Sequence, residues 1–263
     1  MLIKNHYLKE IDFSGTLAMG AKGKEVRKVQ EWFNLWRYVD PAWRIIVTVD
    51  GDFGNQTKNA VTDFQELHRL PAGGKVNPTT FGKLCSPMSS AWLPIQGNDL
   101  RALVTGYAGQ HLVNSPKELN NNNEGPWVRA YMDGNEGTRW AWCMGFVQSI
   151  LDLASDSLDL KFTSIMPHTY SCDVVGEAGR ANGKLIRNRA LRKDPALIEP
   201  GDVFLVVNSS RDWTHTGIII QRKGDWIETI EGNTNDEGSR EGFEVCRRLR
   251  DFMNNNIDIY KIT

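Results

Sequence analysis

The chain has 263 residues, 40% of them hydrophobic and 24% charged, with 31 Lys and Arg against 32 Asp and Glu. That supports one large core or two modest ones, and its net charge of −1 argues against nucleic acid as the main partner. The apolar residues fall in short runs such as 203–207 and 217–220, far below the roughly 18 residues of a membrane span, so none is expected.

In chain order, residues 1–19 read as an irregular lead-in. They lack the continuous apolar stretch of a secretory leader, so the expected place of synthesis is the cytoplasm. Val26, Val29, Trp32, Phe33 and Trp36 recur at helical spacing and predict a helix over 24–38. A β-like run at 45–49 and a turn at 50–54 follow. A second helix is expected over 56–70, with Ala60, Val61, Phe64 and Leu67 on one face, ended by Pro71, Gly73 and Gly74. Pro78 can open a third helix, through Leu84. Residues 1–86 therefore read as a small three-helix domain, and 87–98 have linker composition.

The second domain, 99–263, begins with a helical pattern at Leu100, Leu103, Val104 and Tyr107. Phe146, Val147, Ile150, Leu151 and Ala154 predict a buried helix that starts at or just before Cys143. Another helix is expected around 171–181. After Pro200 and Gly201 the pattern changes to β-branched or aromatic runs at 203–207, 216–220, 226–230 and 244–249. Helices first and strands after give an α+β class, with helices packed on an antiparallel sheet.

The cysteines, Cys85, Cys143, Cys172 and Cys246, form no C-x-x-C pair and do not look like a disulfide framework. A thiol at a helix N-terminus sits in the positive end of the helix dipole, which favours the reactive thiolate, and nearby N–H groups can hold an oxyanion. Cys143 has that position. His215, at the mouth of an apolar strand, supplies a base, and Glu231 or Asn233 on the next strand can orient its ring. Glu228, counted onto the same strand face as Glu231, is the fallback orienter. Cys172 is a rival nucleophile, with His168 four residues before it. Asp133, Asn135 and Glu136 alternate carboxylate and amide around turn glycines, as calcium loops do, although an ordinary solvated turn is the preferred reading.

Trp142-Cys143 opening a helix, Pro200-Gly201-Asp202-Val203 opening a strand, His215-Thr-Gly, and Glu231-Gly-Asn233 stand in the order found in the CHAP family of papain-like amidohydrolases and peptidases. Residues 99–263 resemble that family, with 72 residues from Cys143 to His215 and 16 more to Glu231. The resemblance implies a papain-like domain in which Cys143 is the nucleophile, His215 the base, Glu231 its orienter and Asn233 a further polar member. Trp142 is expected at the substrate. No cofactor is required by this scheme, and calcium near Asp133, Asn135 and Glu136 is an option that some members carry.

Residues 15–85 resemble a three-helix peptidoglycan-binding domain. The match is carried by Gly20-x-x-Gly23, Val26 with Gln30, the run Asp50-Gly-Asp-Phe-Gly followed by Thr57, Ala60-Val61 and Phe64-Gln65, and a closing Val76 with Pro78 and Thr79. The insert at 36–49 departs from the pattern. Most motif residues read as structural, and Asp52, Asn55 and Gln65 are the polar candidates for the wall. Together the two resemblances imply a monomeric, endolysin-like cell-wall lytic enzyme with peptidoglycan as its partner. It would act on the wall after holin-type release, as an endopeptidase or an N-acetylmuramoyl-L-alanine amidase. The competing expectations are a non-catalytic wall-binding protein and a wall-degrading effector delivered by a contact-dependent secretion machine.

Overall fold

The N-terminal fold grows from helix α2 (Lys24–Trp36), whose Val26, Val29, Trp32, Phe33 and Trp36 are all buried. The structure, a computed structural model, describes residues 1–234 and 242–263. Ahead of α2 lies a short helix, α1 (Tyr7–Ile11), where only an irregular lead-in was expected. Helices α3 (Asn55–Leu67) and α4 (Pro78–Leu84) complete the three-helix core, with Phe53, Val61, Phe64 and Phe81 packed inside it. Asn77 caps α4 by accepting from the Thr80 N–H, and Pro78 stands in the first turn, where no N–H is missed.

The run at 45–49 joins no strand. Its backbone is satisfied by side chains instead. The Asn34 amide takes both the N–H and the C=O of Val47, at 2.8 and 2.9 Å, and Gln56 accepts from Thr48 N at 3.0 Å. The β-like run is therefore not a strand: among the described residues, no strand pairs with it.

The stretch expected as a linker is ordered in its first half. Helix α5 (Ser86–Ala91) buries Pro87, Met88 and Ala91, and Trp92 follows them inside. The two halves of the chain then share one continuous apolar core. Trp32 of α2 meets Trp127 of α7 (Pro126–Tyr131) edge to face at 6.2 Å. Between them, the guanidinium of Arg129 grips Glu10 from two nitrogens (2.9 and 2.7 Å), Glu31 at 2.6 Å and Glu136 at 2.9 Å. The lead-in is fixed as well, since Asp152 accepts the N–H groups of Ile3 and Lys4 at 2.7 Å each.

The second half is α+β, as its sequence pattern implies. Helix α6 (Leu100–Val113), capped by Asp99, packs on α8 (Cys143–Asp156), and both lie against a sheet. Helix α9 (Cys172–Ala181) follows with its own cap, Ser171. Then come β1 (Leu185–Ile186), α10 (Asn188–Lys193), β2 (Val203–Ser209), β3 (Asp212–Lys223), β4 (Trp226–Thr234), β5 (Glu244–Asp251) and β6 (Ile257–Tyr260). The described strands form one six-stranded sheet in the order β1-β6-β2-β3-β4-β5, every pair antiparallel.

Alternation along the strands sends Val203, Leu205, Ile218 and Ile230 to the helical side. Phe204, Ile219, Ile227, Ile257 and Ile259 form a second, smaller core with Leu191 of α10. Burial on both faces explains why these strands read as continuous apolar runs. Helix α8 is buried almost all round, because it is clasped between the sheet and α6. Gly145 allows that fit: a Cβ there would come within 2.6 Å of the Tyr131 carbonyl oxygen.

Candidate active site

Cys143 is the first residue of α8, and no side chain caps that helix end. His215 stands on β3 and Glu231 on β4. The strands are in register with Ile218 opposite Ile230, which sets Gly217 beside Glu231. Gly217 has no side chain to obstruct this approach: a Cβ there would lie 2.7 Å from Glu231 Cγ. Glu231 Oε2 thereby reaches His215 Nε2 at 2.8 Å. The other ring nitrogen, Nδ1, is buried and makes no hydrogen bond within the described residues, while the Cys143 thiol lies near enough to the ring for the two to shift each other's proton affinity. The structure thus brings Cys143, His215 and Glu231 into one cluster, all three nearly inaccessible, with Cys143 retaining 5% of its surface.

The electrostatics of this cluster are those of an ion pair. Cys143 is pushed well below the usual thiol range. The largest cause is the neighbouring Cys172 thiol. Burial opposes it, and the His215 ring and the Met144 N–H add to it. Burial alone would lower His215, but the neighbouring Cys143 and the hydrogen bond to Glu231 outweigh that and raise it to about 9. Burial would raise Glu231, but Arg250 and His215 hold it at about 2. These directions favour a thiolate beside an imidazolium and a carboxylate, the charge states that cysteine nucleophiles use.

Several expected residues have other places. Cys172 is the first residue of α9 and faces Cys143, which raises its pKa well above the ordinary value, with burial adding to the effect. His168, its proposed base, bonds to Asp133 at 3.0 Å instead. Glu228 lies three residues from Glu231, an odd number, so strand alternation puts the two on opposite faces. It is engaged by Lys223, Arg247 and Gln221, which lower it to about 2. Asn233 is buried beyond Glu231, in a bulge where its own backbone has φ 55°, so alternation no longer sets its direction.

Trp142, expected at the substrate, is wholly buried. Its indole N–H donates to Glu118 at 2.6 Å and its ring stacks on Tyr131. The carboxylates of the suggested calcium loop serve protein donors. Asp133 accepts from Lys4, His168 and Tyr170, while Glu136 accepts from Gly125 N and Arg129. Asn135 folds back on the Met132 carbonyl. Among the described residues, no group of three or more His, Cys, Asp or Glu is arranged to hold a metal.

In the N-terminal domain, Asp52 pairs with Lys22 at 2.7 Å on the surface and Asn55 is exposed at the start of α3. Both are open to a ligand. Gln65 is not. It is buried, accepts from the N–H groups of Gly73 and Gly74, and donates to Lys75 O and Thr80 Oγ1, which closes the turn after α3. A cavity of about 460 Å³ between α1, Trp92, Ile95, Tyr107 and the C-terminal end of α8 is remote from the thiol. The length of α8 separates them, at about 1.5 Å per residue.

Sequence reasoning missed Arg250, which holds Glu231 from β5. It stands just past the predicted run at 244–249, and the pairing that turns it inward is not visible before the sheet is built.

Comparison with known proteins agrees with the first domain. Residues 22–84 match the family described as "Putative peptidoglycan binding domain". The chain is also 36% identical over 84 residues to the Zinc D-Ala-D-Ala carboxypeptidase of Streptomyces albus G, a match spanning 29% of this chain and 31% of that protein. The chain therefore carries an N-terminal peptidoglycan-binding domain ahead of an α+β region.

Proposed function

We propose that the protein is a cell-wall lytic enzyme that binds peptidoglycan through its first domain and cleaves an amide bond with the Cys143 thiolate. The observation that carries this reading is the buried His215–Glu231 hydrogen bond beside the Cys143 sulfur, which stands at an uncapped helix start. The order of CHAP-type residues in the sequence supports a papain-like assignment, and the wall-binding domain supports peptidoglycan as substrate.

In this scheme the thiolate attacks the amide carbon, and backbone N–H groups at the start of α8 stabilise the oxyanion. His215 gives its proton to the leaving nitrogen. Water, activated by the same ring, then releases the acyl group. Glu231 holds the ring in the required tautomer. The scissile bond is either a peptide bond of the stem or cross-bridge, or the amide between muramic acid and L-alanine. A binding module tethered to the catalytic region raises the effective substrate concentration. A binding domain preceding a catalytic one also suits an endolysin-type role.

Purified cell walls test the reading. Cys143→Ala is expected to reduce clearing by about a thousandfold or more while leaving wall binding intact. Clearing at the wild-type rate would defeat it. Mass spectrometry of the released muropeptides identifies the bond from its new termini. The pH profile follows from the charges. The pair is active while His215 is protonated, so the rate falls as pH rises through about 9. A rate still climbing beyond that range would count against an imidazolium acid.

A further inference from the structure

Glu231 serves more partners than the orientation of one imidazole requires. Its Oε2 accepts from His215 Nε2 at 2.8 Å and Arg250 Nη2 at 2.5 Å. Its Oε1 accepts from Thr229 Oγ1 at 2.5 Å and Arg250 Nε at 2.6 Å. Arg250 pairs across the sheet with Ile227 and lies back along β4, past Thr229, to bring its fork onto both oxygens. The guanidinium rests over the Phe204 ring, 4.9 Å from its centre, and the same ring packs beside His215 at 6.1 Å. Glu231 is wholly buried, while Arg250 keeps 18% of its side chain exposed.

The physical consequence differs from that of an ordinary third triad member. A buried carboxylate with an imidazolium as its sole cation would hold that proton tightly and make it a poor acid. A permanent second cation on the same carboxylate weakens this hold and fixes both oxygens through a planar fork that lysine cannot reproduce. We propose that Arg250 is a positioning residue for the Cys143–His215 pair: its fork fixes Glu231, and its charge sets the pH range over which the pair is active. This deepens the thiol-hydrolase reading of the site and rests on it.

Among the described residues, the charged and titratable groups around His215 are Cys143 from α8, Cys172 with adjacent Asp173 from α9, Glu231 from β4 and Arg250 from β5. Removing the permanent cation raises the proton affinity of Cys143, His215 and Glu231 together. Both limbs of the activity profile therefore move to higher pH. A role in folding alone would lower the rate without moving either limb.

The test measures release of soluble fragments from purified walls by the full chain, across both limbs of the pH profile. Arg250→Met is expected to lose about 10- to 100-fold at neutral pH, the range for losing a hydrogen bond between charged groups. Both its limbs should rise by about half a unit to one unit. Arg250→Lys keeps the charge and loses the fork, so its limbs should stay near wild type while its rate falls. Unmoved limbs in Arg250→Met, with Cys143→Ala inactive, overturn this proposal alone. Limbs displaced in Arg250→Lys as far as in Arg250→Met also overturn it. If Arg250→Met does not fold, the Lys variant decides: limbs in place with a lowered rate support the proposal, and displaced limbs overturn it. A Cys143→Ala variant that releases fragments at the wild-type rate overturns the site reading and this proposal together.

Discussion

Gln30 and Gln65 in the wall-binding domain are as deeply buried as His215 and Glu231 in the second region, yet the two sets are used differently. Gln30 accepts from Gly51 N at 2.8 Å and donates to Asp50, the Asp52 carbonyl and Thr57, so one amide ties the whole turn to α2. Gln65 closes the following turn in the same manner. Their partners are mostly backbone groups or neutral side chains. His215 and Glu231 are instead partnered by ionisable side chains, Cys143 and Arg250, from separate elements. A buried polar group that satisfies backbone builds the fold. One that shares charge with other titratable groups costs desolvation and is worth keeping chiefly where chemistry needs it.

The sharpest way to disturb this contrast is at the junction between the regions. Arg129→Ala leaves Glu10 and Glu31 buried without their main cation, and the expected destabilisation is about 3–5 kcal/mol. Denaturant unfolding followed by tryptophan fluorescence reads this as a lowered midpoint, and an unchanged midpoint would mean that the junction does not depend on the ion pairs. Next in size is Gln30→Leu, which abandons the turn's donors and acceptors and should cost about 1–3 kcal/mol. Its rate per folded molecule on soluble muropeptides should be retained; a selective loss of that rate would erase the distinction drawn between the two sets. The smallest change is Cys172→Ala, expected to reduce clearing by less than about tenfold, because a neighbouring thiol worth about 1 kcal/mol to the nucleophile is lost. The alkylation rate of Cys143 as a function of pH should show its pKa rising. Abolished clearing with normal Cys143 alkylation would reinstate Cys172 as the nucleophile.

Sequence periodicity determined much of the local structure. The apolar spacing placed α2, α3 and α8 to within a few residues, and Pro78 marked the start of α4. The change from helical to β patterning after Gly201 located β2 to β5. Short elements such as α5 and α7 escaped because so few turns leave no period to read. Residues 45–49 misled because β propensity reports extended backbone, not the presence of a partner strand.

The candidate site was legible in part, since the residue types and their order marked Cys143, His215 and Glu231. Tertiary structure decided everything that depends on distance. It put Trp142 and Gln65 inside, spent the carboxylates of Asp133 and Glu136 on protein donors, and turned Cys172 toward Cys143. It also brought Arg250, from the far end of β5, onto a buried carboxylate. The reason is physical. Local sequence fixes backbone periodicity through short-range sterics and hydrogen bonds. Which charge meets which in the interior depends on strand register and helix packing, and those are set by contacts between residues far apart in the chain.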